Sequence, residues 1–304
     1  MSVTRDDPAS TRIYDSPPWM PPLLVKAALP AIPGLAKLPG LRRRTTIAPD
    51  LALVRQGVRV DPGHLARYVD VCDFALADTL PATYPHIEAF ALHLALMTDR
   101  DFPFPPIGTV HAANTIRQVR PMRVDETFDL TVYAADLRPH PKGRLIDIVT
   151  AATVDGEIVW QETTTVLRRG RRDPDVADTL PLRDVDAPIG PGRWLLPGGL
   201  GRRYAGVSGD HNPIHLYAVT AKAFGFSRQI VHGMWTKARC LAALQPHLPD
   251  AYAVTVAFRR PIMLPGSVRF GIDDSDSRIA FGVTGGRDAA PHLVGIVTPD
   301  DSIR

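Results

Sequence analysis

The 304-residue sequence has two cysteines, five lysines and no unbroken apolar stretch long enough to cross a bilayer, and each scarcity excludes something. Cys72 and Cys240 form neither a CxxC nor a metal-type pair, so a disulfide scaffold is excluded and a reduced compartment is the expected setting. The most apolar N-terminal stretch, residues 23–41, is broken by Lys26, Pro30, Pro33, Lys37 and Pro39. A span needs about 20 mostly apolar residues, and the first residues also lack the basic and apolar regions of a secretory signal. A cytoplasmic location is therefore expected. Arg42-Arg43-Arg44 would suit a membrane surface, but a leader lying on the domain surface is the reading preferred. Neither a GxGxxG nor a phosphate-binding P-loop is present, so nothing points to a nucleotide cofactor. The net charge of +3 is too mild to argue for nucleic acid. Thirty arginines against five lysines suit contacts to phosphate or carboxylate groups.

What is present is a globular composition, 45% hydrophobic, with enough length for two domains of about 100–200 residues each or one large one. Thirty prolines favour short elements joined by turns. Residues 1–50 read as a Pro-rich, aperiodic leader. Residues 85–97 (PHIEAFALHLALM) are apolar on nearly all faces and predict a buried helix. Alternation over 128–133, and two runs flanking Asp155-Gly156, predict a strand and a hairpin. A stretch from Arg168-Arg169-Gly170-Arg171-Arg172 to Pro197, rich in Asp, Pro and Gly, reads as a linker. After it, residues 233–245 predict an amphipathic helix with Lys237 and Arg239 off its apolar face. Residues 252–258, 268–272, 279–283 and 293–297 predict strands. Arg120-Pro121 and Arg260-Pro261 stand at the same point of a helix–strand–turn–strand order, 140 residues apart, which argues for an internal duplication. The domains expected are thus 51–167 and 199–304, joined by 168–198.

The densest polar cluster runs from Tyr204 through Ser208-Gly209-Asp210-His211-Asn212-Pro213-Ile214 to His215. Gly209 permits a tight turn, and Asn212-Pro213 is a natural helix start, so Asp210 and His215 flank a turn leading into a helix. Both side chains then reach one small volume, which suits chemistry needing a proton acceptor and a donor on one substrate. Two other readings stand beside it: a merely capped loop, and a metal site built on Asp210, His211 and His215 with help from His232. Gly233, in Ile230-Val231-His232-Gly233-Met234, opens a helix and offers its N–H at the positive end of the helix dipole. His232 itself reads as a polar residue satisfied by the fold.

Together, Tyr204…Ser208-Gly-Asp-x-Asn-Pro-x-His215 followed by Ile-Val-His-Gly-Met resembles the MaoC-like, or hydratase 2, family of R-specific enoyl-thioester hydratases and 3-hydroxyacyl-thioester dehydratases. The resemblance covers Tyr204–Ala221 nearly completely. It implies an α+β double hot-dog, two antiparallel sheets each wrapping a central helix (residues 85–97 and 233–246), and it allows a homodimer of such chains. It also implies a lyase of fatty-acid metabolism that interconverts (R)-3-hydroxyacyl and trans-2-enoyl thioesters without metal or organic cofactor. The partner is then a thioester of coenzyme A or acyl carrier protein. Carried over, Asp210 and His215 are the catalytic pair, Gly233 the oxyanion donor and Asn212 an orienting group, with Tyr204 and Ser208 on the substrate side. The first half departs from the pattern: before its helix it reads Leu80-Pro-Ala-Thr-Tyr-Pro-His-Ile. One active site per chain is therefore expected. A hot-dog thioesterase and a non-catalytic acyl-binding subunit are the alternatives.

Overall fold

The computed structural model describes residues 8–29, 45–275, 278–286 and 288–300; Arg42-Arg43-Arg44 lie outside them. In the first half the elements are β1 (Ser10–Tyr14), α1 (Met20–Ala28), β2 (Leu51–Arg59), α2 (Pro62–Cys72), α3 (Tyr84–Met97), β3 (Thr109–Gln118), β4 (Thr127–His140), β5 (Gly143–Val154) and β6 (Glu157–Arg169). In the second half come β7 (Gly192–Leu196), α4 (Leu200–Ser208), α5 (Pro213–Leu216), α6 (Ala218–Ala223), α7 (Gly233–Leu244), β8 (Tyr252–Phe258), β9 (Gly266–Ser275), β10 (Arg278–Gly285) and β11 (Pro291–Pro299).

The same plan is written twice: a strand, a helix, a buried helix, then four strands. In the first half β2 pairs with β4, β4 with β5 and β5 with β6, all antiparallel. In the second half β7 pairs with β9, β9 with β10 and β10 with β11, again antiparallel. A short bridge, Thr79 to Arg123 and Ile230 to Met263, falls three residues beyond the arginine of each Arg-Pro pair. The duplication read from that dipeptide therefore extends to pairing and register. This is the hot-dog plan in double form.

The structure divides into two compact units that do not follow the two halves. One takes residues up to Arg59, Ala89–Val110 and Thr127–Asp178, and the other Val60–Glu88, His111–Glu126 and Thr179–Arg304. Part of the first half belongs to the second unit because β3 pairs along Ala113–Gln118 with β8, residue by residue from Ala257 to Tyr252. Among the described residues no helix is long and apolar enough to cross a membrane.

Asp155 and Gly156, at φ 51° and 86°, form the two-residue turn between β5 and β6. In α3, buried His93 is satisfied by a 2.7 Å bond to the Thr150 hydroxyl. Three expectations need amending. The leader contains a strand and a helix: β1 pairs parallel with β2, and α1 starts at a proline-rich first turn. Residues 168–198 contribute Arg168 and Arg169 to β6 and Gly192–Leu196 to β7. Finally, Lys237 is not off the apolar face of α7 but fully buried. Its ammonium donates to the Asn114 carbonyl (3.3 Å), the Asn114 side-chain oxygen (2.5 Å) and the Val254 carbonyl (3.2 Å). Three acceptors for three protons make that burial tolerable.

Candidate active site

The polar cluster occupies the path from α4 to α7, and each of its residues is fixed by a local backbone reason. Gly209 ends α4 in the left-handed region, φ 73°, a conformation that costs a residue with a side chain. The chain then folds back on itself. The Ser208 hydroxyl accepts the Asp210 N–H (3.2 Å), the Asp210 carboxylate accepts the Asn212 N–H (3.1 Å), and the Asn212 side chain accepts the Ile214 N–H (3.4 Å). Pro213 then occupies the first turn of α5, where its missing N–H is no loss. This succession of small caps points the Asp210 carboxylate and the His215 ring toward one place.

His215 is buried and donates Nδ1–H to the Ile230 carbonyl at 2.8 Å. A carbonyl only accepts, so in the neutral ring Nε2 is the unprotonated nitrogen, a base. His232, the N-cap residue of α7, is also buried, and its Nε2–H donates to the Asp210 carbonyl at 3.0 Å. The two imidazoles stack with centroids 3.8 Å apart and planes 24° off parallel, and the Tyr204 ring lies 4.9 Å from that of His232. Asp210 keeps 30% of its side-chain surface exposed, with its carboxylate 3.9 Å from His232 Nε2.

These contacts set the protonation states. Burial alone would raise the Asp210 pKa, but His232, His215, the Asn212 N–H and His111 outweigh it and hold the carboxyl below its ordinary range. Burial lowers His215, and the Asp210 charge and the Ile230 bond only partly offset it. His232 is pushed down to about 3, by burial first and by its neighbour His215 second. At neutral pH the site therefore holds an ionised carboxylate beside two neutral imidazoles.

The remaining residues fall around this pair. Gly233 begins α7, so its N–H is one of the first-turn donors without an intrahelical acceptor. A Cβ at Gly233 would stand 3.1–3.3 Å from the ring of Phe258, so glycine is what lets β8 pack so close to the helix start. Tyr204 and Ser208 are both buried and support the loop from behind. Asn212 is half-buried and turned into its own helix cap. Reading from sequence missed two residues here. His232 is part of the site through its stack on His215. His111, on β3, faces the Asp210 carboxylate electrostatically and stacks on Phe258 at 5.9 Å and 11°. An isolated histidine in a strand carries no sequence signal of such a role.

Asp210, His215 and His232 bring one donor atom each within 4.8 Å of one another, a set that invites the metal reading. Exposed His211, which the spacing had suggested as a ligand, is not among them. The set does not fit a metal ion. In-plane lone pairs of two nearly parallel, stacked rings run side by side, whereas a tetrahedral or octahedral centre needs them to converge.

Residues 201–287 match the MaoC-like domain. The chain is 33% identical over 282 residues to 3-hydroxyacyl-thioester dehydratase X of Mycobacterium tuberculosis, covering 90% of this chain and 96% of that protein. It is 29% identical over 198 residues to the enoyl-CoA hydratase ChsH3 of the same organism, covering 60% of this chain and 66% of that one. A crystal structure of HtdX from M. tuberculosis superposes with a TM-score of 0.73 at 32% identity, covering 82% of this chain and all of the other.

Proposed function

Because the chain belongs to the MaoC-like family, we propose that it adds and removes water reversibly across C2–C3 of acyl thioesters, interconverting (R)-3-hydroxyacyl and trans-2-enoyl forms in fatty-acid metabolism. The observation that carries this reading is the pairing of an ionised Asp210 with a neutral His215 whose Nε2 is held free to act as a base. In hydration, a water donates one hydrogen to the Asp210 carboxylate and the other to His215 Nε2. Its oxygen attacks C3 as Nε2 takes the proton, and the imidazolium then delivers that proton to C2. Dehydration reverses the steps. Nε2 removes the C2 proton and hands it to the departing hydroxyl, which leaves as water, while the Asp210 charge steadies the imidazolium. Burial, which lowers the His215 pKa, makes that imidazolium a strong proton donor.

The thioester carbonyl gathers negative charge in both directions. The Gly233 N–H, at the positive end of α7, is its donor. Asn212 orients the loop, and Tyr204 and Ser208 shape the substrate side from behind it. Protons move and one C–O bond forms or breaks with no net change of oxidation state, so the reaction needs no redox partner, and Asp210, His215 and the Gly233 N–H supply the acid–base and oxyanion roles. The acyl group rides on coenzyme A or acyl carrier protein, and a homodimer of double hot-dogs in the cytoplasm is the expected setting. The first half, residues 51–167, completes the fold and catalyses nothing itself.

Crotonyl-CoA and a longer trans-2-enoyl-CoA test the reading. Loss of enoyl absorbance without release of free thiol, giving the (R)-3-hydroxy product, is the expected result. Thiol release would make the protein a thioesterase, and binding without turnover an acyl-binding subunit.

A further inference from the structure

The buried helix of the first half starts at Tyr84, where that of the second starts at Gly233. In place of a bare N–H, the first half presents a phenol, and that phenol is committed. Its oxygen lies 2.8 Å from His64 Nδ1, and Nε2 of the same ring lies 2.8 Å from the carbonyl oxygen of Val207. Since a carbonyl only accepts, Nε2 carries the proton, and in the neutral ring Nδ1 accepts the Tyr84 hydroxyl. Val207 is the penultimate residue of α4, and the last carbonyls of a helix have no partner within it. His64 thus supplies from α2 a donor for the Val207 carbonyl, beside the Gly209 N–H that bonds back to the Ala205 carbonyl.

The donor is itself held. His64 sits in the first turn of α2, where its N–H bonds the Asp61 carboxylate at 2.7 Å. Behind it the Tyr68 hydroxyl donates to the Thr83 hydroxyl at 2.7 Å, and the Tyr68 ring packs edge-on against Tyr84 and tilted against Tyr204. Burial raises the Tyr84 hydroxyl well above its usual pKa, and Glu88, which adds its charge and a hydrogen bond to the phenol, raises it further, so the phenol stays protonated with His64 Nδ1 and the Glu88 carboxylate as its acceptors. Three residues beyond Val207 stands Asp210.

We propose that His64, fixed by Tyr84, is a positioning residue for the hydration site: it holds the C-terminus of α4 and thereby the carboxylate of Asp210. The place that in the second half meets the thioester has, in the first half, become a strut for the working loop. The proposal rests on the functional reading above, so its test has one arm that does not depend on turnover.

The experiment compares His64→Ala, Tyr84→Phe and His64→Gln, whose amide can donate with one end and accept with the other. Two readouts are taken: steady-state hydration of crotonyl-CoA, and hydrogen exchange of the backbone over residues 207–216. Displacement of a reacting group by about 1 Å can cost about 100-fold. For His64→Ala we expect kcat to fall roughly 10–100-fold with KM within about twofold, and exchange over 207–216 to quicken while the α7 core keeps its protection. Tyr84→Phe should lie between it and wild type, and His64→Gln should recover most of kcat. A His64→Ala enzyme with kcat within about twofold of wild type and native exchange over 207–216 would overturn the proposal. So would uniform quickening throughout the molecule. If wild type hydrates no enoyl thioester, the functional reading fails, and the exchange arm alone decides whether the strut exists.

Discussion

The two halves of the chain share a plan and differ where chemistry would be done. In the first, eleven residues (73–83) join α2 to α3; in the second, 24 residues (209–232) join α4 to α7 and carry α5 and α6. The longer connection has room for the Asp210 turn, the Asn212 cap and the His215 helix. The shorter one has room only to reach its buried helix. The helix starts differ accordingly. Gly233 leaves an N–H at the start of α7, whereas α3 starts at Tyr84, whose hydroxyl is bonded to His64, and Pro85, next to it, has no N–H to give. The two copies thus differ in the length of this connection and in the residue that opens the buried helix.

That contrast can be broken by moving one feature across it. Gly233→Pro gives α7 a first residue without a donor. The position is the first of the helix, and His232 before it is extended (φ −65°, ψ 136°), so the backbone accepts proline. Loss of an oxyanion donor costs about 10²–10³ in kcat. Gly233→Ala keeps the N–H and presses on the Phe258 ring, and should lose no more than about tenfold. Measured kcat values that are equal for the two variants would remove Gly233 from the mechanism.

A smaller effect sharpens the same contrast through pH. His232 and His215 are held neutral, with His232 near 3 against an ordinary 6.5. The unfolded chain therefore takes up protons before the folded one, and stability that is complete above about pH 6.5 is lost as pH falls toward 3. For His232 the loss is about 1.4 kcal/mol per pH unit in that window, and His215, also lowered, adds in the same direction. Urea midpoints at pH 7 and pH 5 should differ in that direction, and His232→Gln should flatten the difference. A midpoint that does not fall between pH 7 and pH 5 would show that the stacked pair is not kept neutral.

Much of this was legible in the sequence, and for physical reasons. The buried helix at 84–97 announced itself by being apolar on nearly all faces, the helix at 233–244 by its one apolar face, and the β5–β6 hairpin by Asp155-Gly156. The motif was readable because its caps are local: Gly209, Asn212 and Pro213 act on their immediate neighbours. What failed to show depends on partners distant in the chain. β2 has a register shift between Arg55 and Val58 that spoils its alternation. Lys237 looked solvent-facing because nothing local reveals Asn114 and Val254 as acceptors. His232 looked like a bystander because its stack on His215 exists only once α5 and α7 meet. His64 lies 143 residues from the carbonyl it caps.

The central claim is that all turnover runs through one pair in the second half. It is tested most directly by crotonyl-CoA hydration in Asp210→Asn, His215→Ala and the double variant, each checked for a native melting transition. Each single variant is expected to lose about 10²–10⁴ in rate, the size of an acid–base contribution. Because the two groups act on one water, the double variant should lose little beyond the worse single one. A double variant hydrating within about tenfold of wild type would place the chemistry elsewhere and contradict the account.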